Sequence, residues 1–106
     1  HVPSDDEWTI LENNLGGSSV AGGKMKTTMG WGSPNIGATN ESGFGGLPGG
    51  YRGGDGWYYT AGGNWWSQTG FDAYMAFFRR LSREDSNVGR SGYDKRNGFS
   101  VRCIKD

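Results

Sequence analysis

The sequence predicts an α+β fold with one main N-terminal helix, a long glycine-rich loop region and short antiparallel strands. A helix-start signal stands at residues 3–7, and turn residues dominate from Thr27 to Gly56. Short aromatic-rich runs separated by glycines fill the rest of the chain. A chain of 106 residues is one domain at most, so we expect residues 1–106 to form a single domain.

The composition combines many glycines with many aromatic residues. Twenty-one glycines are typical of a low-complexity chain, but an aromatic content of 14% is far above that of disordered segments. We therefore predict a loop-rich globular domain with an aromatic core. Its glycines are expected at turns and at positions of positive φ.

The net charge excludes two classes of partner. Eleven basic and eleven acidic residues cancel, so the chain lacks the field that binding to nucleic acid or an anionic membrane requires. No apolar run approaches the length of a membrane span. The start, His1-Val2-Pro3, is neither a signal peptide nor a methionine start, and we expect this sequence to begin inside a longer protein.

The main helix is predicted from Ser4 to Leu15. Ser4 can cap the helix and Glu7 can reach back to it, which is a capping box. The acidic run Asp5–Glu7 is interpreted as helix capping rather than as a metal site. Gly16-Gly17 end the helix. The residues that share its apolar face are Trp8, Leu11 and Leu15.

The remaining elements are weaker. A short second helix is predicted from Ser18 to Lys26, although Gly22-Gly23 disfavour it. The segment from Thr27 to Gly56 is predicted to be an ordered long loop. Short strands are predicted at Trp57–Thr60, Asn64–Ser67, Ala73–Leu81, Val88–Lys95 and Phe99–Ile104. The last two would be joined at Asn97-Gly98, and alternation would bury Phe99, Val101 and Cys103 in the last strand.

The candidate motifs for phosphate binding, metal binding and catalysis lack the neighbouring residues that such sites require. Gly22-Gly23-Lys24 resembles the end of a phosphate loop but lacks the following hydroxyl residue and a preceding strand. No Cys or His pair has zinc-site spacing, and His1 is the sole histidine. Carboxylate pairs such as Glu41 with Asp55 are common in any chain with this many acids, and the glycosylation sequon at residues 40–42 is a weak match. We predict that the domain is not an enzyme.

The aromatic stretch from Trp57 to Phe78 has two interpretations. Trp65 and Trp66 are predicted to be core residues under a thin sheet. Tyr58, Phe71 and Tyr74 are either core residues as well or exposed rings that form a stacking platform for a sugar or peptide. The sequence leaves this choice open.

Six stretches in order along the chain resemble the major paralogous domain family named from Fibrobacter succinogenes, which is common in bacterial surface and secreted proteins. They are HVPSDDEW (1–8), LGG (15–17), AGGKMK (21–26), GATNESGFGGLPGGYR (37–52), NWWSQT (64–69) and NGFSVRCIKD (97–106). The family domain is longer, so residues 1–106 correspond to its C-terminal portion. More distantly, HVPSDDEW and GFSVRC are similar to segments of formylglycine-generating enzymes. That resemblance implies a C-type-lectin-like fold, but one cysteine cannot supply the cysteine pair of their chemistry.

The family resemblance also implies a partner for Cys103. An upstream cysteine of the family, just before the HVP sequence, would pair with this position in the parent protein. Within this chain Cys103 has no partner and is expected to be free.

The resemblance implies a variable half made by the long loop and the surface from Phe71 to Arg96. Alternation along Ala76–Leu81 places Phe77, Arg79 and Leu81 on one face and Arg80 on the other, facing out. The predicted ligand-binding residues are Tyr74, Arg80, Arg83, Arg90 and Tyr93, a mixed cationic and aromatic patch. The alternative is a solvated charged face.

The predicted function is a non-catalytic binding or adhesion module of a secreted or cell-surface bacterial protein. Its ligand would be a glycan or a protein. A structural spacer or capping module of a larger surface protein is the alternative, and an enzyme ranks third. We expect no cofactor, and a structural calcium ion in the long loop stays open because C-type-lectin-like folds sometimes bind one.

Overall fold

The computed structural model describes all residues from 1 to 106. Two helices come first, α1 (Asp5–Asn14) and α2 (Ser18–Met25). The strands are β1 (Tyr51–Arg52), β2 (Tyr58–Tyr59), β3 (Gly63–Gly70), β4 (Met75–Leu81) and β5 (Gly89–Asp94). β1 and β2 form an antiparallel ribbon, and β3, β4 and β5 form an antiparallel sheet in that order. The predicted α+β class is confirmed. Neither helix has the length and apolar character needed to cross a membrane.

Helix α1 begins as the sequence predicts. The Ser4 hydroxyl accepts a hydrogen bond from the Glu7 amide at 3.1 Å, and the Ser4 amide donates to the Glu7 carboxylate at 2.8 Å. This capping box satisfies two backbone donors at the helix start. Trp8 is buried, whereas Leu11 and Leu15 are half-buried and pack against the core.

Helix α2 forms despite its two central glycines because the glycines permit close contacts. A Cβ atom on Gly22 would lie 2.1 Å from the carbonyl oxygen of Asn87. A Cβ atom on Gly23 would lie 2.2 Å from the carbonyl oxygen of Gly37. Glycine therefore lets two loop backbones pack directly on the helix.

The long loop is held by a buried lysine. The Lys26 ammonium donates to the carbonyl oxygens of Ile36 at 2.8 Å, Ser82 at 2.8 Å and Asp85 at 2.9 Å. Burial lowers the pKa of Lys26 from its ordinary value. The loop is ordered as predicted, and the region from Thr27 to Gly56 also contains strand β1.

The sheet separates two aromatic groups because neighbouring residues of a strand point to opposite faces. Trp65 packs on the helix side, in a core that also contains Trp8, Ala21, Met25, Trp31, Leu81 and Val88. Trp66 points to the other side and is half-buried there, with its ring stacked on that of Phe99 at 4.2 Å. The prediction of a core residue is thus confirmed for Trp65, while Trp66 belongs to a second cluster.

A buried ionic network joins α1 to the sheet. Arg79 is 1% exposed and donates to Asp5 at 2.7 Å and to Glu12 at 2.8 Å. Arg90 donates to the second Asp5 oxygen at 2.7 Å. Within the acidic run Asp5–Glu7, Glu7 caps the helix, while Asp5 anchors two arginines of the sheet.

The predicted last strand, Phe99–Ile104, does not form a regular strand. Ser100 makes a single bridge to β3, through bonds with the Asn64 carbonyl and the Trp66 amide. The next amide of β3 that is free on that edge, Gln68, donates instead to the carbonyl of Pro3. The N-terminal and C-terminal segments therefore share the outer edge of β3. This leaves the last segment with isolated hydrogen bonds to β3 instead of a continuous strand pairing.

The predicted turn before this segment and the predicted burial of its side chains are also corrected. Gly98 bridges Arg52 of β1, so Asn97-Gly98 does not turn between two paired strands. Val101 is 54% exposed and Cys103 is also exposed, so the predicted burial of both is wrong. Phe99 is half-buried in the aromatic cluster. Cys103 is free within the chain, as predicted.

Candidate functional site

A groove of about 550 Å³ lies between the β1–β2 ribbon and the end of β5. We call it the tyrosine groove, because three tyrosine side chains form much of its wall. Its lining residues are Tyr51, Gly53, Gly54, Asp55, Tyr59, Met75, Tyr93, Asp94, Arg96 and Asn97. This volume lies within the range of small-molecule sites, which runs from roughly 300 to 1,000 Å³.

The tyrosines pack against one another in fixed arrangements. Tyr51 and Tyr59, paired across the ribbon, have stacked rings 4.9 Å apart. Tyr93 meets Tyr51 edge-on at 6.1 Å, and both rest on Phe99. Tyr59 and Tyr93 are 40% and 41% exposed, so each offers ring surface to solvent. The groove therefore has aromatic walls that are fixed before any ligand arrives.

The first carboxylate of the groove is tied to a tyrosine. The Tyr59 hydroxyl donates to Asp55 at 2.7 Å, and the other Asp55 oxygen accepts from the Trp57 amide at 2.9 Å. The Tyr59 bond holds the pKa of Asp55 below its ordinary value, and the same bond raises the pKa of Tyr59. Burial raises the pKa of Tyr51, and the nearby Tyr93 adds to that effect.

The second carboxylate is held by its own turn. Asp94 accepts two side-chain bonds from Arg96, at 3.0 and 2.9 Å, and the Arg96 amide at 2.8 Å. The Arg96 guanidinium lowers the pKa of Asp94. Asn97 donates to the Asp94 carbonyl and accepts from the Gly54 amide at 3.1 Å, which ties the turn to the ribbon.

A smaller pocket of about 380 Å³ lies beyond the end of β4. We call it the arginine pocket, because Arg80 and Arg83 contribute its charged groups. The other lining residues are Trp31, Pro48, Thr60, Ala61, Gly62, Ser82 and Glu84. Arg83 is paired with its neighbour Glu84 at 3.0 Å, whereas Arg80 has no ion pair in the protein. A cationic group without a partner thus lines this pocket.

Together, these features offer flat apolar rings and carboxylates in one groove and one unpaired cationic group, Arg80, in a second pocket. The family model described as Fibrobacter succinogenes major domain matches residues 1–105. The chain belongs to this family. No curated protein and no solved structure gives a significant match to it.

The sequence-predicted site residues of this Fibrobacter succinogenes major domain fall into three places. Tyr93 lines the tyrosine groove, and the 78%-exposed Tyr74 lies beside Asp94 and Arg96 at its edge. Arg80 and Arg83 meet in the arginine pocket. Arg90 is separate from both.

Arg90 pairs with Arg79 in the sheet register and therefore projects toward the helices, not toward Tyr93. There it bonds to Asp5, and its guanidinium lies 4.2 Å from the centre of the Phe77 ring. The structure thus does not gather the five residues into one patch, and their role in binding stays a prediction. Arg80 faces outward as predicted, while Arg79, on the other face, is buried.

The sequence interpretation missed Tyr51, Tyr59 and Asp55 as members of a Fibrobacter succinogenes major domain groove. A signal for them exists in the chain. Tyr51-Arg52 and Tyr58-Tyr59 are short β-forming pairs on either side of a Gly-Gly-Asp-Gly turn at residues 53–56, which is the pattern of a hairpin.

Two further features of this domain concern ions and Cys103. No group of three or more His, Cys, Asp or Glu side chains is placed to hold a metal ion. The calcium ion considered for the long loop stays a prediction. Cys103 lines a shallow apolar groove of about 230 Å³ with Trp8, Leu11, Phe44 and Ile104.

Proposed function

We propose that this domain is a non-catalytic binding or adhesion module that holds a glycan in the tyrosine groove. The observation that carries the proposal is the arrangement of Tyr51, Tyr59 and Tyr93 around two fixed carboxylates, Asp55 and Asp94. The parent protein would be a secreted or cell-surface bacterial protein, in keeping with its family.

The chemistry of the groove matches that of a sugar ring. One face of a pyranose presents C–H groups that pack on an aromatic ring, and its rim presents hydroxyl groups. Carboxylates accept strong hydrogen bonds from such hydroxyls. Tyr59 and Tyr93 would supply the stacking faces, and Asp55 and Asp94 would orient the ring.

The fixed geometry supports binding without large rearrangement. Asp55 is held by Tyr59, and Asp94 is held by Arg96, so neither carboxylate needs to be ordered by the ligand. Ordering a free side chain on binding costs about 0.5–1.5 kcal/mol, and this cost is reduced here. A moderate affinity, strengthened by repeated copies on a surface, would suit adhesion.

The experiment is to apply the labelled domain to a glycan array and then to measure its affinity for the glycans that bind it by titration calorimetry. The variant Tyr59→Ala/Tyr93→Ala should lose binding while keeping its fold. Phe71→Ala is the matched control, since Phe71 is an exposed ring packed against Phe77 on the opposite face of the sheet. If the immobilised domain captured a protein ligand but bound no glycan, a protein ligand would be favoured. If the folded domain bound neither a glycan nor a protein, the structural spacer would be supported.

We also propose that Cys103 forms a disulfide in the parent protein, with a cysteine outside residues 1–106. Its thiol is exposed beside an apolar groove, where a second chain segment could reach it. Secreted domains of this size often use such covalent ties. Alkylation of the unreduced parent protein and mass spectrometry decide this, and a labelled Cys103 would contradict the disulfide. Protease treatment of intact native cells tests the surface location.

A further inference from the structure

Arg80 is an unusual arginine in this protein. Five of its arginines donate hydrogen bonds to acceptors within the chain, namely Arg79, Arg83, Arg90, Arg96 and Arg102. The guanidinium groups of Arg80 and Arg52 have no such acceptor. Of these two, Arg80 lines a defined pocket. An arginine that is fixed in a strand but has no partner retains all five of its donors for a ligand.

The surroundings of Arg80 keep its guanidinium accessible. Gly62 adopts a φ of +66°, and a Cβ atom there would lie 3.4 Å from the Arg80 Nε atom. On the next strand, a Cβ atom on Gly89 would lie 3.5 Å from the Arg80 Cβ atom. Because glycine occupies both positions, neither residue places a side chain over Arg80, which is exposed. The hydroxyl of Thr60 in the same pocket provides a further polar group.

The pocket carries a net positive charge. Arg80 and Arg83 contribute two positive charges, and Glu84, which pairs with Arg83, contributes one negative charge. A planar guanidinium binds the two oxygens of a carboxylate or sulfate group side by side. The arginine pocket therefore suits an oxyanion.

The arginine pocket lies next to the tyrosine groove. Thr60 lines the pocket and directly follows Tyr59, which lines the groove. Arg80 and Tyr93 also project from the same face of the sheet, because Arg80 pairs with Gly89 and alternation brings Tyr93 to that side. Although burial raises the pKa of Tyr51 overall, the Arg80 charge acts on that hydroxyl in the opposite direction, as expected for close neighbours.

We propose that the arginine pocket binds the carboxylate or sulfate group of an acidic glycan whose neighbouring sugar ring lies in the tyrosine groove. This inference rests on the proposed function and names the class of its ligand. Arg80 is the main contact with the oxyanion, and Arg83, held by Glu84, supports the positive field.

The test is affinity electrophoresis of the folded domain through gels that contain one polysaccharide each. Polygalacturonate supplies carboxylates, and fully methyl-esterified polygalacturonate is the same polymer without the charge. Chondroitin sulfate supplies sulfate and carboxylate groups together, chondroitin supplies the carboxylate alone, and dextran is the neutral comparison. These arms distinguish the two oxyanions.

The variant Arg80→Gln should weaken binding to the preferred acidic polymer by about tenfold to a hundredfold, as expected for the loss of a charged hydrogen-bonding partner. Arg52→Gln is the matched control, because it removes the same charge from an arginine that also lacks an acceptor but does not line the pocket. Its affinity should stay within about twofold of the unsubstituted domain, because only long-range charge is lost. Added salt should weaken the binding of the acidic polymer.

Equal retention by charged and esterified polymers, with no difference between the two variants, would overturn the acidic ligand. If the Tyr59→Ala/Tyr93→Ala variant then lost retention by both polymers, the proposed function would stand without the further inference. A further gel contains poly-glutamate. If the domain were retained by poly-glutamate and by none of the polysaccharides, both proposals would be overturned in favour of an acidic protein ligand.

Discussion

The Oδ1 atom of Asp5 lies 2.7 Å from the Nη1 atom of Arg79, across 74 residues of sequence. This ion pair, with Glu12 on the other side of Arg79, connects the first turn of α1 to the central strand of the sheet. Both ends are largely out of solvent, with side-chain exposures of 1% for Arg79 and 12% for Asp5. Removal of one member therefore leaves a charge without its partner.

Arg79→Met should destabilise the domain by about 3–5 kcal/mol, because Glu12 would be left buried and unpaired. Arg90→Met should cost about 1 kcal/mol or less, since the Arg90 side chain is 48% exposed and its pair is screened by water. Urea denaturation followed by tryptophan fluorescence measures both. Similar losses for the two variants would mean that the buried position of Arg79 is not what makes its ion pairs important.

The same network predicts how stability depends on pH. The bond from Arg90, opposed by burial and reinforced by Arg79, holds the pKa of Asp5 below its ordinary value of 3.8. A carboxylate with a lowered folded pKa contributes full stability above its unfolded pKa and loses it as pH falls through the folded pKa. The free energy of unfolding should therefore decline below pH 3.8. In Asp5→Asn this decline should be shallower, and an identical pH profile would remove Asp5 as its source.

Trp8→Ala should cost about 3–5 kcal/mol, as truncations of large core aromatics do. Trp8 is 2% exposed and meets Phe44 edge-on at 5.9 Å. Val101→Ala is the comparison, because the sequence predicts burial there but the side chain is exposed, and it should change stability by less than about 0.5 kcal/mol. Thermal melts of both variants check the contrast. A near-normal melt of Trp8→Ala would reject the assigned core.

Gly22→Ala should strongly destabilise the domain, although alanine is the better helix former. The added methyl group would meet the Asn87 carbonyl at 2.1 Å, so the loop or the helix must move. Gly70→Ala provides a control, since the nearest atom to its methyl group would lie at an ordinary contact distance of 3.8 Å. If Gly22→Ala instead raised the melting temperature, helix propensity would outweigh the close approach of the loop.

The elements that the sequence predicts best are those that depend on local interactions. The start of α1 follows from Ser4 and Glu7, which lie within one helical turn, and the strands near Trp65 and Ala76 follow from residue type. Alternation also placed Arg79 on the face opposite Arg80, but its ion pairs were not predictable in this way, because its partners Asp5 and Glu12 lie far away in the sequence. An arginine without a visible partner is expected to face solvent.

The last segment and the candidate site depend on competition between distant parts of the chain. Alternation from Phe99 onward has the period of a strand, but Pro3 takes a bond on the same edge of β3 that Ser100 uses. Tyr51 and Tyr93 meet only because the ribbon folds against the end of β5. Among the predicted site residues, the sequence could identify Tyr93 and Arg80 as exposed, but not that Arg90 points to the opposite face.

The three carbonyl bonds of Lys26 have a consequence for how the loop opens. The ammonium has three protons: one is donated to the long loop at Ile36, and two are donated to the segment after β4, at Ser82 and Asp85. Withdrawal of the lysine would leave all three carbonyls without their donor at once. The long loop and the segment after β4 should therefore exchange their amide protons as one cooperative unit, rather than fray from a loop tip.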